Sequence, residues 1–247
     1  MGESHQIGQH QGGLILDCLD VLSGGAAQGL VTQLQANFSE KTGLDIAGTF
    51  GAVGMMKDSL LAGTPCDVII LTDVIVAQLT GSGQLAAGSA KDLGIVKTGV
   101  AVKSGEKPVD VSTPEKLKAA LQQAKGIYFP DPIKATAGIH VMKVIRTLGL
   151  EQELGDRLRP FANGAAAMKA MAECAEDGLL GCTQVTEILF TDGVELVAVL
   201  PKEFELATVY TAAVCTASRQ PRAANELIAM LTSPDATAHR AACGFEA

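Results

Sequence analysis

Residues 19–73 alternate short apolar runs, glycine turns and helix-periodic stretches, and few folds accommodate that alternation. The segment "LDVLSGGAAQGLVTQLQANFSEKTGLDIAGTF" opens with an apolar run at 19–22, punctuated by Ser23-Gly24-Gly25. From Ala27 onward Leu30, Val31, Leu34 and Phe38 recur at the spacing of one helix face, and Gly43 sits where a helix commonly ends. A second cycle follows, with a turn at Gly51-Ala52-Val53-Gly54, a helix to Leu61 and the run "CDVIILTD". The centre of that run is continuously apolar, as a parallel strand covered on both faces requires. Strands and helices alternating through short turns predict a doubly wound parallel α/β sheet.

A helix at 74–79 precedes the loop "GSGQLAAGSAKDLG", after which "IVKTGVAVKSGEKP" reads as a strand and turn crossing to another region. Ser112-Thr113-Pro114-Glu115 opens a helix, with a hydroxyl cap, a proline in the first turn and an acid at the positive end. A second α/β unit runs from "GIYFPDP" into a helix beginning near Ala137, then through the helix "GAAAMKAMAECAEDG" and the run "LLGCTQVTEILF" to the strand "VELVAVLP". The C-terminal stretch reads as a strand and two helices. The expected architecture is two doubly wound α/β lobes joined by a two-strand hinge, with a ligand cleft between them. Residues 14–95 and 209–247 form the first lobe, 96–208 form the second as an insertion, and 1–13 form a flexible extension. The crossings are expected near 95–102 and 208–215.

Composition narrows the function. A net charge of −8 and the lack of a basic run with interleaved aromatics exclude a nucleic-acid partner. No apolar run reaches the roughly 18 residues of a membrane span. The start, "MGESHQIGQHQGGLILDCLDVL", lacks the parts of an export signal. With Met1 as the native start the protein is expected in the cytoplasm; with a signal removed, in the periplasm. The six cysteines show no C-x-x-C pair or metal-type spacing and read as small buried thiols. No His/Asp/Glu/Cys cluster suggests a metal, and no cofactor motif is present.

Four segments share one design, a strand end, a small-residue turn and a helix start. They are Ser23-Gly24-Gly25-Ala26, Gly51-Ala52-Val53-Gly54, Ala135-Thr136-Ala137-Gly138 and Asn163-Gly164-Ala165. Each offers unpaired N–H groups at the positive end of a helix. If all four face one cleft, it holds a small anion without a buried cation. Lys57 and Lys134 could pair a carboxylate, although each singly reads as a solvated surface lysine. His140 lies four residues after Thr136 on the same helix face and could carry a proton, although a helix histidine with a structural hydrogen bond is the commoner case.

This arrangement resembles the periplasmic solute-binding proteins of the molybdate-binding type over most of the chain. "FGAVG…LLAGTPCDVIILTD" is similar to that family's F-G-S-S-G…G-A-P-A-D-V-F-I-S-A-D, and "ATAGIHVMKVIRTLGL" to its P-A-G…A-L-E-x-L-G-L. The ending "VYTAAVCTASRQPRAANELIAMLTSPDATAHRAACGF" also looks like the family's ending. The resemblance implies a monomeric two-lobe receptor for a small anion and, as partner, an ABC transporter membrane component. By position Ser23 keeps the family's first hydroxyl, Ala52 and Val53 replace a serine pair, and Gln184 stands where the family has a ligand-facing Tyr. Losing hydroxyls that bond a tetrahedral oxyanion disfavours molybdate. A carboxylate taking N–H groups at Gly24, Gly25 and Ala137, with Ser23, Thr72, Thr136 or Gln184, fits better. The alternative is an enzyme on this scaffold, an isomerase of a polycarboxylate such as aconitate. It would need a base, for which His140, Lys57 and Lys134 are the candidates.

Overall fold

The computed structural model describes residues 18–247; the N-terminal extension, with His5 and His10, lies outside the described residues. Among the described residues the first two strand–helix cycles are β1 (Cys18–Gly24), α1 (Gln28–Thr42), β2 (Asp45–Gly51) and α2 (Val53–Leu61). They lead through β3 (Val68–Thr72) and α3 (Asp73–Gly81) into β4 (Lys91–Lys103). The middle of the chain contributes α4 (Pro114–Gln123), β5 (Gly126–Pro130), α5 (Thr136–Thr147), α6 (Glu151–Leu154) and β6 (Leu158–Phe161). It continues with α7 (Gly164–Glu173), β7 (Leu179–Gln184), α8 (Val185–Phe190) and β8 (Val194–Val199). Finally come β9 (Ala207–Val214), α9 (Pro221–Thr232) and α10 (Thr237–Ala242).

The strands follow one path, β2-β1-β3-β9-β4-β7-β5-β6, with β8 paired to β4 beside it. β1 runs parallel to β2 and β3, and β5 runs parallel to β6 and β7. Between these parallel sets stand the antiparallel strands β9 and β4. β4 is shared. Its residues from Lys91 to Lys97 pair with β9, whereas Thr98 to Ala101 pair with β7 and Gly99 to Lys103 with β8. Thr98 sits at the change of partner: its N–H donates to the Leu206 carbonyl, and its own carbonyl accepts from Leu200.

Alternation along the strands sorts the cores, because successive side chains point to opposite faces. On the β5–β7 side Val100, Ile127, Phe129, Leu180 and Cys182 join α4 and α5 in one cluster. Ala101, Tyr128 and Leu179 point the other way, onto Met168 and Met171 of α7. The β1–β3 strands contribute Leu19, Val21 and the run from Val68 to Leu71 to a third cluster with α1, α3 and α9. Cys66, Cys182, Cys215 and Cys243 are buried, as small thiols in these cores, and Cys174 is half-buried.

Two strands differ from the sequence expectation, and the short helices α6 and α8 were not expected. β4 begins at Lys91, inside the expected loop, because an irregularity near Gly94 lets a polar stretch join the sheet. Gly94 has φ of 141°, and a Cβ there would strike the Glu246 carbonyl. β6 was not expected at all. It is a short edge strand containing Pro160, tolerated there because an edge leaves one side unpaired.

Asp67, buried just before β3, ties one end of the molecule together. Its Oδ1 accepts from the Ser218 hydroxyl (2.7 Å) and the N–H groups of Arg219 (2.9 Å) and Gln220 (3.1 Å). Its Oδ2 accepts from the Asp20 N–H at 3.0 Å. One carboxylate thus joins β1, β3 and the turn before α9. Asp67→Ala strands those donors and is expected to cost about 2–4 kcal/mol in urea unfolding, with Asp67→Asn costing less.

Candidate functional site

All four small-residue turns meet. Gly25 follows β1, Gly51, Ala52 and Val53 lie between β2 and α2, Ala135, Thr136 and Ala137 open α5, and Asn163 and Gly164 open α7. Pro130, Gln184, Glu187 and Tyr210 complete the lining of a cavity of about 260 Å³. Parallel strands carry their following turns to the same sheet edge, so turns on both sides of β4 and β9 converge there. The turns also touch across the gap. The Gly54 N–H donates to the Lys134 carbonyl at 3.0 Å, and Lys134 Nζ pairs with Asp58 on α2 at 2.6 Å.

Of the residues singled out from the sequence, Gly25, Ala52, Val53, Thr136, Ala137 and Gln184 line the cavity. Ser23, Gly24 and Thr72 do not. Ser23 is fully buried, and its hydroxyl donates to the Gly24 carbonyl at 2.8 Å. Gly24 is packed so closely that a Cβ would press on Val53 and the Tyr210 ring. Thr72 is buried at the start of α3. The three candidate bases also lie outside the lining. Lys134 is half exposed in its ion pair with Asp58, which it holds below the usual carboxylate range, with Lys57 on α2 adding a little. The His140 ring donates from Nε2 to the Phe204 carbonyl at 2.7 Å.

Sequence reasoning missed three lining residues, Pro130 and the two ionisable ones, Glu187 and Tyr210. Glu187 lies four residues after Thr183, and its carboxyl accepts from the Thr183 hydroxyl at 2.5 Å and the Gly164 N–H at 3.2 Å. A Cβ at Gly25 or at Gly164 would collide with that carboxyl, so both glycines make room for it. Burial pushes the Glu187 pKa up, against the pull of Thr183 and the backbone N–H groups of Gly164, Ala165 and Gln184. The spacing of Gln184 and Glu187, a cap position and the third helical residue, was the available signal. Tyr210 is buried on β9, and burial with the nearby Glu187 raises its pKa, while the Gln184 amide beside it works the other way.

The amide of Gln184 is the most exacting group here. It is 2% exposed, and neither Oε1 nor Nε2 has a hydrogen-bond partner of good geometry among the described residues. Thr98, its register partner across β4–β7, and Thr186 also keep buried hydroxyls without partners. Burying such groups unpaired is costly, which is a feature of sites completed by a ligand. No lysine or arginine lines the cavity, so helix starts, an amide and a hydroxyl supply its polarity.

Comparison with known proteins identifies the fold. Residues 19–246 match the model of a family described as bacterial extracellular solute-binding proteins. An aconitate isomerase from a Pseudomonas species is 28% identical over 225 residues, covering 88% of this chain and 83% of that protein. The periplasmic molybdate-binding protein of Azotobacter vinelandii superposes with a TM-score of 0.77 at 22% identity, covering 93% of this chain and 99% of its own. The sulfate-binding protein SubI from Mycobacterium tuberculosis H37Rv gives 0.70 at 14% identity, over 93% and 86% of the two chains. The resemblance read from the sequence thus holds at the level of fold, which is that of type II periplasmic binding proteins. No helix among the described residues is long and apolar enough to cross a membrane.

The state of Glu187 has a measurable consequence. Its folded-state pKa lies above the ordinary 4.5, so between those two values the folded protein holds a proton that the unfolded chain has released. Stability from this group is present at low pH and lost as pH rises above that value. Relative to E187Q, the wild type should therefore lose melting temperature as pH rises above the ordinary glutamate value. A difference that stays constant with pH would contradict this reading.

Proposed function

The chain belongs to the bacterial extracellular solute-binding protein family, and from that premise we propose that it binds a small carboxylate-bearing anion in the cavity between its converging turns. The observation that carries this reading is the buried Gln184 amide, which has a donor and an acceptor and no partner of its own. A tetrahedral oxyanion carries four oxygens that all call for donors. Ala52 and Val53 give the second turn an apolar wall where hydroxyls would be needed to ring such an ion. A carboxylate needs fewer donors, and its carbon skeleton can lie against that wall.

In this reading the described residues of the expected 14–95 segment form one lobe with 209–247, and 96–208 form the other; residues 14–17 lie outside the described residues. They close by bending near the Lys97–Thr98 partner change and its return strand. Membership of the family supports a location outside the cytoplasm and delivery to an ABC transporter membrane component. A second reading, isomerisation of an unsaturated polycarboxylate such as aconitate, is favoured by the ionisable carboxyl inside the cavity and by the 28% identical aconitate isomerase.

Thermal-shift titration separates the ligands. Molybdate, tungstate and sulfate should leave the melting temperature unchanged. A di- or tricarboxylate, with cis- and trans-aconitate in the panel, should stabilise by about 2.7 kcal/mol at 100 times its dissociation constant. Gln184→Ala should weaken that ligand by about 1–3 kcal/mol. Stabilisation by molybdate would overturn the carboxylate reading.

A further inference from the structure

The cavity contains a group that ligand holding alone does not require. A receptor for an anion gains from neutral donors and loses from an adjacent acid, yet Glu187 is buried there at 5% exposure. The fold accommodates it deliberately from both sides: Gly25 from the β1 turn and Gly164 from the α7 start each lack the Cβ that would occupy its place. Oε2 is fixed by the Thr183 hydroxyl at 2.5 Å, and Oε1 is the oxygen that a Cβ on Gly25 would strike. Among the described residues the only other ionisable side chain lining the cavity is Tyr210, and no lysine, arginine or histidine lines it.

Resting on the polycarboxylate reading above, we propose that Glu187 is a catalytic residue that moves a proton along the ligand's carbon chain. The ionised carboxyl takes a proton at Oε1 from a methylene carbon that lies between a carboxylate and a carbon–carbon double bond. The C–H electron pair becomes a new double bond, and the charge spreads through the old one onto the carboxylates. The same carboxyl then returns the proton two carbons away, so the double bond has shifted and nothing has been oxidised or reduced. The Gln184 amide donates to the carboxylate on which charge develops, as does the Tyr210 hydroxyl. The helix starts at Thr136 and Gly164 add their positive ends. Burial keeps the proton affinity of Glu187 above that of an ordinary carboxylate, which favours abstraction from a weak carbon acid. Glu187 also caps α7 through the Gly164 N–H, a contact that glutamine can preserve.

The test is proton NMR of the wild type and E187Q with cis- and trans-aconitate in D₂O, alongside calorimetric titration of both proteins. The wild type is expected to bind an isomer, exchange its methylene hydrogens for deuterium and interconvert the two. E187Q should melt as a folded protein and bind within about tenfold of the wild type, with exchange slowed about 10²- to 10⁴-fold. E187D, which keeps the carboxyl on a shorter arm, should recover part of the loss. Binding by the wild type without exchange, or exchange undiminished in E187Q, would overturn the role of Glu187 while leaving the carboxylate site intact. Failure of both isomers to bind the wild type would overturn both readings.

Discussion

Backbone hydrogen bonding along one strand, β4, is the constraint on which the rest depends. Its first half completes the ladder with β9 and its second half the ladders with β7 and β8. The two parallel sets of strands are thereby held with the turns beyond their carboxyl ends facing each other. Without that shared strand, four helix starts separated by up to about 140 positions in the sequence would have no reason to meet. Asp67 performs a similar service locally, giving each of its oxygens to donors from separate elements.

Among the described residues the candidate site has no positive side chain. Its donors are helix starts, an amide and a hydroxyl, all fixed by the backbone or by burial. Such donors are already oriented when a ligand arrives and lose little conformational entropy on binding. Neither candidate lysine lines the cavity. Lys134 draws α2 and the α5 loop together by its ion pair with Asp58 and by its carbonyl, which occupies the Gly54 N–H. That N–H was a candidate ligand donor in the sequence and is instead part of the contact between the two sides.

The glycines of the turns likewise have different tasks. Gly24 allows Val53 and Tyr210 to pack close to β1, while Gly25 and Gly164 leave space for the Glu187 carboxyl. A glycine turn seen in a sequence suggests an anion cradle, but here a side chain of the protein itself fills part of the space. The acid and the absence of hydroxyls at Ala52 and Val53 are the features on which the proposed carboxylate reading rests.

Much of the fold was legible because local signals and tertiary packing agree. The helical spacing of Leu30, Val31, Leu34 and Phe38, the apolar run of β3 and the capping at Thr113 each state their element within a few residues. β6 was illegible, since four residues with a proline carry no periodicity, and the start of β4 depends on the chain end packing over Gly94. The four turns and Gln184 were visible as candidates because small residues and helix starts leave a local signature. Whether Ser23 or Gly25 faces the cavity, whether His140 meets a ligand or the Phe204 carbonyl, and which acid enters the site are not local properties. They depend on strand register and on burial, which set the direction of each side chain and the dielectric around it. The sequence by itself therefore determined the alternating architecture and the kind of turn that lines the site; only the tertiary structure, by bringing distant backbones within hydrogen-bond reach, decided that Glu187, Gln184 and Tyr210 share one cavity.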